Sequence, residues 1–343
     1  MKMFKKMDYY QYPMHTGTLG VTIFFVLSGF LITYLLLSEE RAYKTIHVRQ
    51  FYMRRMLRIW PLYYLIVLVA FFLLPYLPMF IIPDYGKIVI FQDFSLKLLL
   101  FILFLPNVSL ALFGFVPFVS QTWSVGTEEQ FYLFWPWVFK MVKKYRASVL
   151  FILIVVYHLF LHLLDLGYFN FLPNKKLVKL LLEAFNFDYM AIGGIFSIWL
   201  FEKNRILKIV LNNFIFYLSL ILFLALWLNS VSIPYFYFQA YSLLFALIIL
   251  NFAANENLHI SLEHSVLQYL GKISYGLYMF NSIAIILAIE FASSFNSVSN
   301  WMIYPVSILF SILMAAVSWQ YIERYFLRSK SKYTKIMSGK VLD

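Results

Sequence analysis

The sequence predicts an all-α fold, a polytopic helical bundle that crosses a membrane. Hydrophobic residues make up 62% of the 343 positions and charged residues only 13%, against roughly half and about a quarter in soluble domains. The mean hydropathy is +0.77. Several apolar stretches also approach the length of about 20 residues that a bilayer-spanning helix needs. Lipid, rather than a soluble core, therefore solvates most of this apolar surface.

Eight apolar stretches are interpreted as spanning helices. In chain order they are 18–38, 61–82, 147–165, 184–200, 209–228, 236–253, 273–293 and 303–322. Two further stretches are ambiguous. Pro106 and Asn107 interrupt the stretch 97–113, and the stretch 129–142 is short for a span.

The distribution of basic residues decides between these two stretches. If 129–142 spans and 97–113 is re-entrant or interfacial, 20 of the 28 Lys and Arg residues fall in inner loops, as the positive-inside rule requires. We therefore predict about nine spans in a single integral domain over 1–343. The C-terminus is then cytoplasmic, and 324–343 is a basic cytoplasmic tail that touches anionic lipid.

Charge and cysteine content narrow the chemistry. The formal net charge of +12 fits basic cytoplasmic loops, so we expect no nucleic-acid partner. The chain contains no cysteine, which excludes thiolate nucleophiles and cysteine-based zinc sites. A nucleophile or base must be an oxygen or an imidazole.

Four segments carry a resemblance. They are Gly20–Ile32 (GVTIFFVLSGFLI), Phe51–Tyr63 (FYMRRMLRIWPLY), Trp123–Leu133 (WSVGTEEQFYL) and Leu270–Tyr278 (LGKISYGLY), followed by Tyr321–Arg324 (YIER). In this order and spacing they resemble the acyltransferase type 3 family of bacterial membrane O-acyltransferases. The resemblance covers about 18 to 327. It implies transfer of an acyl group, commonly acetyl from acetyl-CoA or another acyl-CoA, to a hydroxyl of a cell-envelope glycan or lipid-linked saccharide in the bacterial inner membrane.

The resemblance also implies a first helix and a catalytic histidine that this sequence lacks. Family members typically have ten helices, which is one more than the nine predicted here, and the charge distribution places the amino terminus outside. We therefore expect the family's first helix to be absent from this form. His15 is a candidate substitute for the missing base, and Asn281 stands where many relatives have a second histidine.

The arginines before Pro61 are the candidate donor site. Arg54 and Arg58 are four residues apart and so share one helix face, with Arg55 beside them. Planar guanidinium groups bind phosphate well, and the acyl-CoA donor carries several phosphates. The alternative is that these arginines contact lipid headgroups. The predicted topology places them on the cytoplasmic side.

The acidic pair after Trp123 is the candidate catalytic element. Thr127 and Gln130 fit a capping box, which would place Glu128 and Glu129 in the first turn of a helix at the outer face. The resemblance instead puts Glu128 at the family's recurrent acidic position, where a carboxylate could orient a catalytic imidazole. These acids and the arginines are thus expected on opposite membrane faces.

Five further residues are candidates for substrate binding. They are Trp123, Ser124, Tyr132, Ser28 and Tyr278. For Ser28 and the adjacent Gly29 close helix packing is the favoured interpretation, and an acyl-serine is not expected because no base is visible near it.

A polar stripe lies on a later span. His158, His162 and Asp165 share one helix face, which suits a polar pocket or an interfacial stripe. Two histidines at this spacing can also bind zinc, but a third strong ligand is missing, so no metal is expected. Asp188 begins the following span and could face a cavity.

We therefore predict a membrane O-acyltransferase whose partners are acyl-CoA, an envelope glycan or lipid-linked saccharide, and membrane lipids. The alternative is a catalytically inactive, truncated relative that acts as a partner protein or as a glycan or lipid transporter.

Overall fold

The computed structural model describes residues 16–82, 87–171, 174–229, 236–295, 299–330 and 333. Among these residues every regular element is helical and none is a strand. The helices form in the apolar stretches because a helix satisfies its own backbone hydrogen bonds where no water is present. The all-α polytopic fold is therefore confirmed.

Fifteen α-helices follow one another along the described residues. They are α1 Thr16–Tyr43, α2 Val48–Phe72, α3 Lys87–Phe91, α4 Phe94–Ile102, α5 Pro106–Phe113, α6 Trp123–Met141, α7 Arg146–Asp165, α8 Lys175–Glu183, α9 Phe187–Phe201, α10 Leu207–Val210, α11 Asn213–Leu228, α12 Tyr237–Ala254, α13 Ser265–Ser294, α14 Asn300–Ser318 and α15 Arg324–Lys330. Short 3₁₀ turns cover Leu74–Tyr76, Pro78–Phe80 and Ser120–Thr122, and a π-helical turn, Trp319–Glu323, joins α14 to α15.

Seven helical segments of the described chain are long and apolar enough to cross a membrane. They are Thr16–Tyr43, Val48–Tyr76, Arg146–Asp165, Lys175–Phe201, Tyr237–Ala254, Ser265–Ser294 and Asn300–Ser329. They correspond to seven of the nine predicted spans. The eighth, α11, is a shorter apolar helix of 16 residues. The ninth lies in α6, whose 19 residues include Glu128, Glu129 and Lys140.

The stretch 97–113 is broken into two short helices. α4 has nine residues and α5 has eight, so at 1.5 Å per residue each is about 12–14 Å long, less than half of the hydrocarbon thickness. Phe104, between them, has a left-handed φ of 56°. Neither helix is long enough to span on its own, in agreement with a re-entrant or interfacial segment.

The span predicted at 61–82 is shifted in the structure. α2 begins at Val48 and ends at Phe72, and two 3₁₀ turns follow. The three arginines therefore lie within the helix rather than before it, because Pro61 is accommodated inside α2. The helix therefore begins before the predicted stretch and ends before residue 82.

The chain divides into two compact units. The first contains the described residues of Met1–His47 and of Gln130–Ile260, and the second contains those of Val48–Glu129 and Ser261–Lys335. The prediction of one integral domain over 1–343 stays a prediction. In the first unit, α9 packs most extensively on α1 and also on α7 and α12. In the second, α13 packs on α14, and α2 on α15 and α13.

Candidate functional site

The polar residues of the second unit gather around α2 and the first turns of α6. Trp60 on α2 donates through Nε1 to Oε2 of Glu129 at 3.0 Å. The other carboxylate oxygen of Glu129, Oε1, is buried and accepts no hydrogen bond from the described residues. A buried acceptor without a donor is costly, so such groups are found mainly where a ligand or a reaction uses them.

The arginines point to different partners. Arg55 lies within electrostatic range of Glu129, and its guanidinium carbon is 5.8 Å from the centre of the Phe51 ring. Arg58 lies within electrostatic range of Glu323 and is exposed. Arg54 donates through Nη1 to the carbonyl oxygen of Tyr333 at 2.9 Å. Arg55 and Arg58 therefore each lie near an acidic side chain.

This geometry corrects the predicted opposition of the arginines and the acids. Trp60 is only two residues beyond Arg58, yet it contacts Glu129 directly. At 1.5 Å per residue, Arg55 and Trp60 are separated by about 7.5 Å along α2. The acids and the arginines therefore lie at nearly the same level of the second unit, and their placement on opposite membrane faces was wrong.

The physical reason lies in the segment that precedes α6. Tyr63 donates to the carbonyl oxygen of Phe101 at 2.7 Å, and Tyr64 donates to that of Ile102 at 2.9 Å. The Tyr63 and Phe104 rings stack with their centroids 4.2 Å apart. The end of α4 is thus bound to the middle of α2. The chain between α4 and α6 therefore returns to the level of Trp60, and α6 begins beside α2.

The predicted capping box is also wrong. α6 begins at Trp123, four residues before Thr127. Thr127 donates its hydroxyl to the carbonyl oxygen of Trp123 at 3.1 Å, which is a bond back along a helix interior rather than a cap. Glu128 and Glu129 therefore lie in the second turn. The earlier helix start was missed because Thr127 and Ser124 are both favoured N-cap residue types, so residue types alone did not distinguish the two positions.

The third and fourth motifs are joined in the second unit. Tyr278 donates its hydroxyl to the carbonyl oxygen of Gln121 at 2.6 Å, and its oxygen lies 2.8 Å from Oγ of Ser124. Gln121 in turn donates to the carbonyl oxygen of Met279 at 3.1 Å. The candidate residues Ser124 and Tyr278 are therefore in direct contact. Gln121, which the sequence analysis did not select, completes this connection between α13 and the start of α6.

Two candidate residues meet in the first unit instead. The hydroxyls of Ser28 and Tyr132 form a hydrogen bond between α1 and α6. The neighbouring Gly29 allows α1 to approach α9 so closely that an added Cβ would lie 1.9 Å from the carbonyl oxygen of Met190. Gly193 faces Val26 in the same way, at 2.0 Å. Helix packing thus explains Gly29, and Ser28 is bound to Tyr132.

Glu323, in the π-helical turn, is a further acid of the second unit. It is 5% exposed and accepts a hydrogen bond from Ser318 at 3.1 Å. A Cβ added to Gly276 of the fourth motif would lie 3.0 Å from Cβ of Ala315 and 3.4 Å from Oε1 of Glu323. The fifth motif and the fourth therefore pack together.

The remaining candidates are not brought to this cluster. His15 lies outside the described residues, as does nearly all of the tail beyond Lys330. The stripe of His158, His162 and Asp165 lies in the first unit, where all three residues border a cavity with Asp188. Among the residues that the structure describes, no group of three or more His, Asp or Glu side chains could hold a metal ion.

The chain is similar to known O-acetyltransferases over part of its length. Peptidoglycan O-acetyltransferase OatA of Listeria monocytogenes is 36% identical over 121 residues, which are 35% of this chain and 19% of that protein. O-acetyltransferase OatA of Staphylococcus aureus is 38% identical over 124 residues, which are 36% of this chain and 20% of that protein. The chain thus spans about a fifth of these relatives.

A longer match covers most of another protein. An uncharacterized protein of Haemophilus influenzae is 30% identical over 228 residues, which are 62% of this chain and 89% of that protein. No solved structure matches the chain significantly. A family model described as an acyltransferase domain, Acyl_transf_3, matches residues 6–320, nearly the whole chain. This protein therefore belongs to the acyltransferase type 3 family, as its motifs predicted.

Proposed function

We propose that this protein is a membrane O-acyltransferase that moves an acyl group, most simply acetyl from acetyl-CoA, to a hydroxyl of a cell-envelope glycan. The family match over residues 6–320 carries this proposal. The OatA relatives, which are O-acetyltransferases and in Listeria a peptidoglycan O-acetyltransferase, favour a glycan acceptor. The seven long apolar helices support a multi-pass protein, and the positive-inside distribution supports the bacterial inner membrane with a cytoplasmic C-terminus.

The reaction needs a base, a donor site and a way to expel the thiol. The acceptor oxygen attacks the thioester carbonyl carbon, the carbon–sulfur bond breaks, and the hydroxyl proton passes through the base to the departing sulfur. His15, which lies outside the described residues, stays a candidate for this base. Glu128 is proposed as the carboxylate of the reaction, the role that an acid has in a catalytic triad.

The donor site is proposed at Arg55 and Arg58, with Arg54 as a neighbour that is bonded to a backbone carbonyl. Arg58 is exposed, so a phosphate can reach its guanidinium group without a rearrangement of the neighbouring residues. The contact between Trp60 and Glu129 fixes the arginine-bearing helix beside the acids. This arrangement supports a single region in which the phosphates of the donor and the acidic pair lie close together. Trp123, Ser124 and Tyr278 are proposed to line it.

The experiment measures thiol release in proteoliposomes. Purified protein is mixed with acetyl-CoA and with soluble peptidoglycan fragments, and free coenzyme A is followed together with acetylation of the fragments by mass spectrometry. We expect release of coenzyme A that depends on the fragments and matches ester formation one to one. Movement of a fluorescent glycolipid across the membrane without consumption of acetyl-CoA would instead favour the transporter alternative, and neither activity would favour an inactive relative.

A further inference from the structure

The first unit contains a large cavity that the candidate acyl-transfer region does not use. Its volume is about 1350 Å³, and its walls are formed mainly by α7, α9 and the start of α12. Most of the wall is apolar or aromatic, but a compact polar cluster interrupts it. The cluster consists of His158 on α7, Asp188 on α9 and Gln239 on α12.

Asp188 is the centre of this cluster. Asp188 is only 1% exposed. Its Oδ2 atom accepts hydrogen bonds from Nε2 of His158 at 3.1 Å and from Nε2 of Gln239 at 2.8 Å. A buried carboxylate within a membrane bundle is costly, and such residues generally mark substrate or ion sites. Side chains of α7 and α12 thus meet at the Oδ2 atom of Asp188 on α9. The cluster is therefore a feature of the tertiary fold rather than of one helix.

The cluster presents a free acceptor to the cavity. Nε2 of His158 faces the Asp188 carboxylate, so a neutral imidazole carries its proton on Nε2 and a lone pair on Nδ1. Nδ1 has no hydrogen-bond partner among the described residues. His158 remains 19% exposed at the cavity wall. A hydroxyl group is the simplest ligand for it, because a hydroxyl can donate to Nδ1 and also accept from a neighbour.

The charges that border the cavity disfavour an anionic ligand. Its described lining includes three carboxylates, from Asp165, Glu183 and Asp188, and one lysine, Lys179. Lys179 is already paired, with its Nζ 2.5 Å from Oδ1 of Asp165 and 3.5 Å from Oε1 of Glu183. A phosphate would therefore meet uncompensated negative charge here. An uncharged group rich in hydroxyls would not.

The apolar wall is continuous with the surface that faces lipid. Phe151, Val155 and Leu159 of α7 border the cavity and yet are 61%, 46% and 53% exposed. α7 is long and apolar enough to span a membrane, and only 11% of its most apolar part is buried within the protein. An alkyl chain can therefore reach the cavity from the bilayer along α7. Phe236, whose ring centroid is 5.9 Å from that of His158, offers a flat surface beside the polar cluster.

We propose that this cavity binds the uncharged, hydroxyl-bearing sugar head group of a membrane amphiphile, with its alkyl chain along α7. The head group donates a hydrogen bond to Nδ1 of His158, and Gln239 and Asp188 hold that histidine in place. The identification of this ligand as the acyl acceptor rests on the proposed function, whereas the preference for a neutral sugar rests on the cavity alone.

The experiment compares three photoactivatable amphiphiles with identical diazirine-labelled alkyl chains. One carries a β-glucoside head group, one phosphocholine and one phosphoglycerol. The full chain is reconstituted in lipid nanodiscs and irradiated, and the crosslinked peptides are identified by mass spectrometry. We expect the glucoside to label α7 and α9 most strongly and the anionic phosphoglycerol probe least.

Variants connect the labelling to the polar cluster. His158→Gln and Gln239→Leu should each lower glucoside labelling of α7 and α9 about tenfold, the effect of one or two lost hydrogen bonds, and should leave phosphocholine labelling unchanged. The matched control is Ser197→Ala, because Ser197 is buried on α9 but does not border the cavity. Labelling is normalised to the monodisperse fraction of each variant, so that loss of folding is counted separately.

Three results would overturn the proposal. They are equal labelling by the glucoside and phosphocholine probes, strongest labelling by the anionic probe, and glucoside labelling that both cluster variants leave unchanged. The proposed function fails separately. Glycan-dependent thiol release with glucoside labelling elsewhere overturns only the cavity assignment, whereas selective glucoside labelling without thiol release overturns the acyltransferase proposal and leaves the sugar site standing.

Discussion

Asp188 in the first unit and Glu129 in the second are both acids in apolar surroundings, but their environments differ. One oxygen of Asp188 receives two side-chain donors and the residue borders a wide cavity. Glu129 receives one donor, from Trp60, and its other oxygen is buried without a partner. A satisfied carboxylate is suited to fixing other groups for binding, whereas an unsatisfied one is suited to proton or charge chemistry.

The glycines of the two units also differ in the atoms that they face. In the first, Gly29 and Gly193 face backbone carbonyls, which cannot move aside. In the second, Gly126 faces the ring of Pro106 and Gly276 faces Ala315 and Glu323. Helix backbones therefore meet directly at Gly29 and Gly193, whereas Gly126 and Gly276 meet mainly side-chain atoms.

The largest expected effect is on catalysis, and it distinguishes the role of Glu128 from that of Asp188. Glu128→Gln keeps the side-chain shape and removes the charge, and we expect kcat for thiol release to fall about a thousandfold, within the range for acid–base and triad residues. Asp188→Asn should mainly raise KM for the glycan. The two variants are compared by steady-state kinetics in proteoliposomes. Full activity of Glu128→Gln would remove Glu128 from the mechanism.

The next effect concerns backbone packing. Gly29→Ala places a Cβ atom 1.9 Å from the Met190 carbonyl oxygen, and we expect it to destabilise the protein by about 3 kcal/mol, the upper range for overpacking. Gly20→Ala is the matched control on the same helix, since nothing lies within 4 Å of its added Cβ. That control should be neutral or up to about 1 kcal/mol more stable. Thermal unfolding in nanodiscs measures both, and equal melting temperatures would contradict the close approach of α1 and α9.

A smaller effect tests the contact that places the acids beside the arginines. Trp60→Phe removes the donor to Glu129 and should cost about 2 kcal/mol of stability, as expected for a hydrogen bond to a charged group. Trp227→Phe is the control, because its indole donates at 3.2 Å to an exposed Thr16 hydroxyl. Unfolding in denaturant is compared for the two. If both variants lose equally little, the Trp60 contact does not stabilise the second unit.

The smallest effect concerns the donor. Arg58→Lys keeps the positive charge but loses the planar fork that binds phosphate at two points, so we expect acetyl-CoA affinity to fall about tenfold. Arg205→Lys, between α9 and α10, serves as the control and should not change affinity. Isothermal titration with acetyl-CoA measures both proteins. An unchanged dissociation constant for Arg58→Lys would assign Arg58 to lipid headgroups instead.

The sequence predicted the elements whose signal is local. Apolar length located α1, α7, α9 and α12 within a few residues of their observed bounds, because a membrane helix needs nothing beyond its own hydrogen bonds. The motifs identified the family. What could not be predicted was the path of the chain between them. The placement of Glu129 against Trp60 depends on the fold of 97–122, where hydrogen bonds from Tyr63 and Tyr64 to distant carbonyls decide the geometry.

The polar cavity shows the same division. His158 and Asp188 were selected separately, one for helical periodicity and the other for its position at a helix start. Their contact and the participation of Gln239 depend on the packing of three helices. Local sequence patterns do not reveal such packing. Gln239 had no signal of its own, since a single glutamine near a helix start is common in any membrane protein.

The π-helical turn Trp319–Glu323 has a consequence for the descent of this protein. Such a turn holds one residue more than the α-helical turn it replaces. Relatives without that residue should therefore show a one-residue gap between Ser318 and Arg324. Because the wide turn absorbs the extra residue, later side chains would keep their angular positions in those proteins, and only the residues of the turn itself would be displaced.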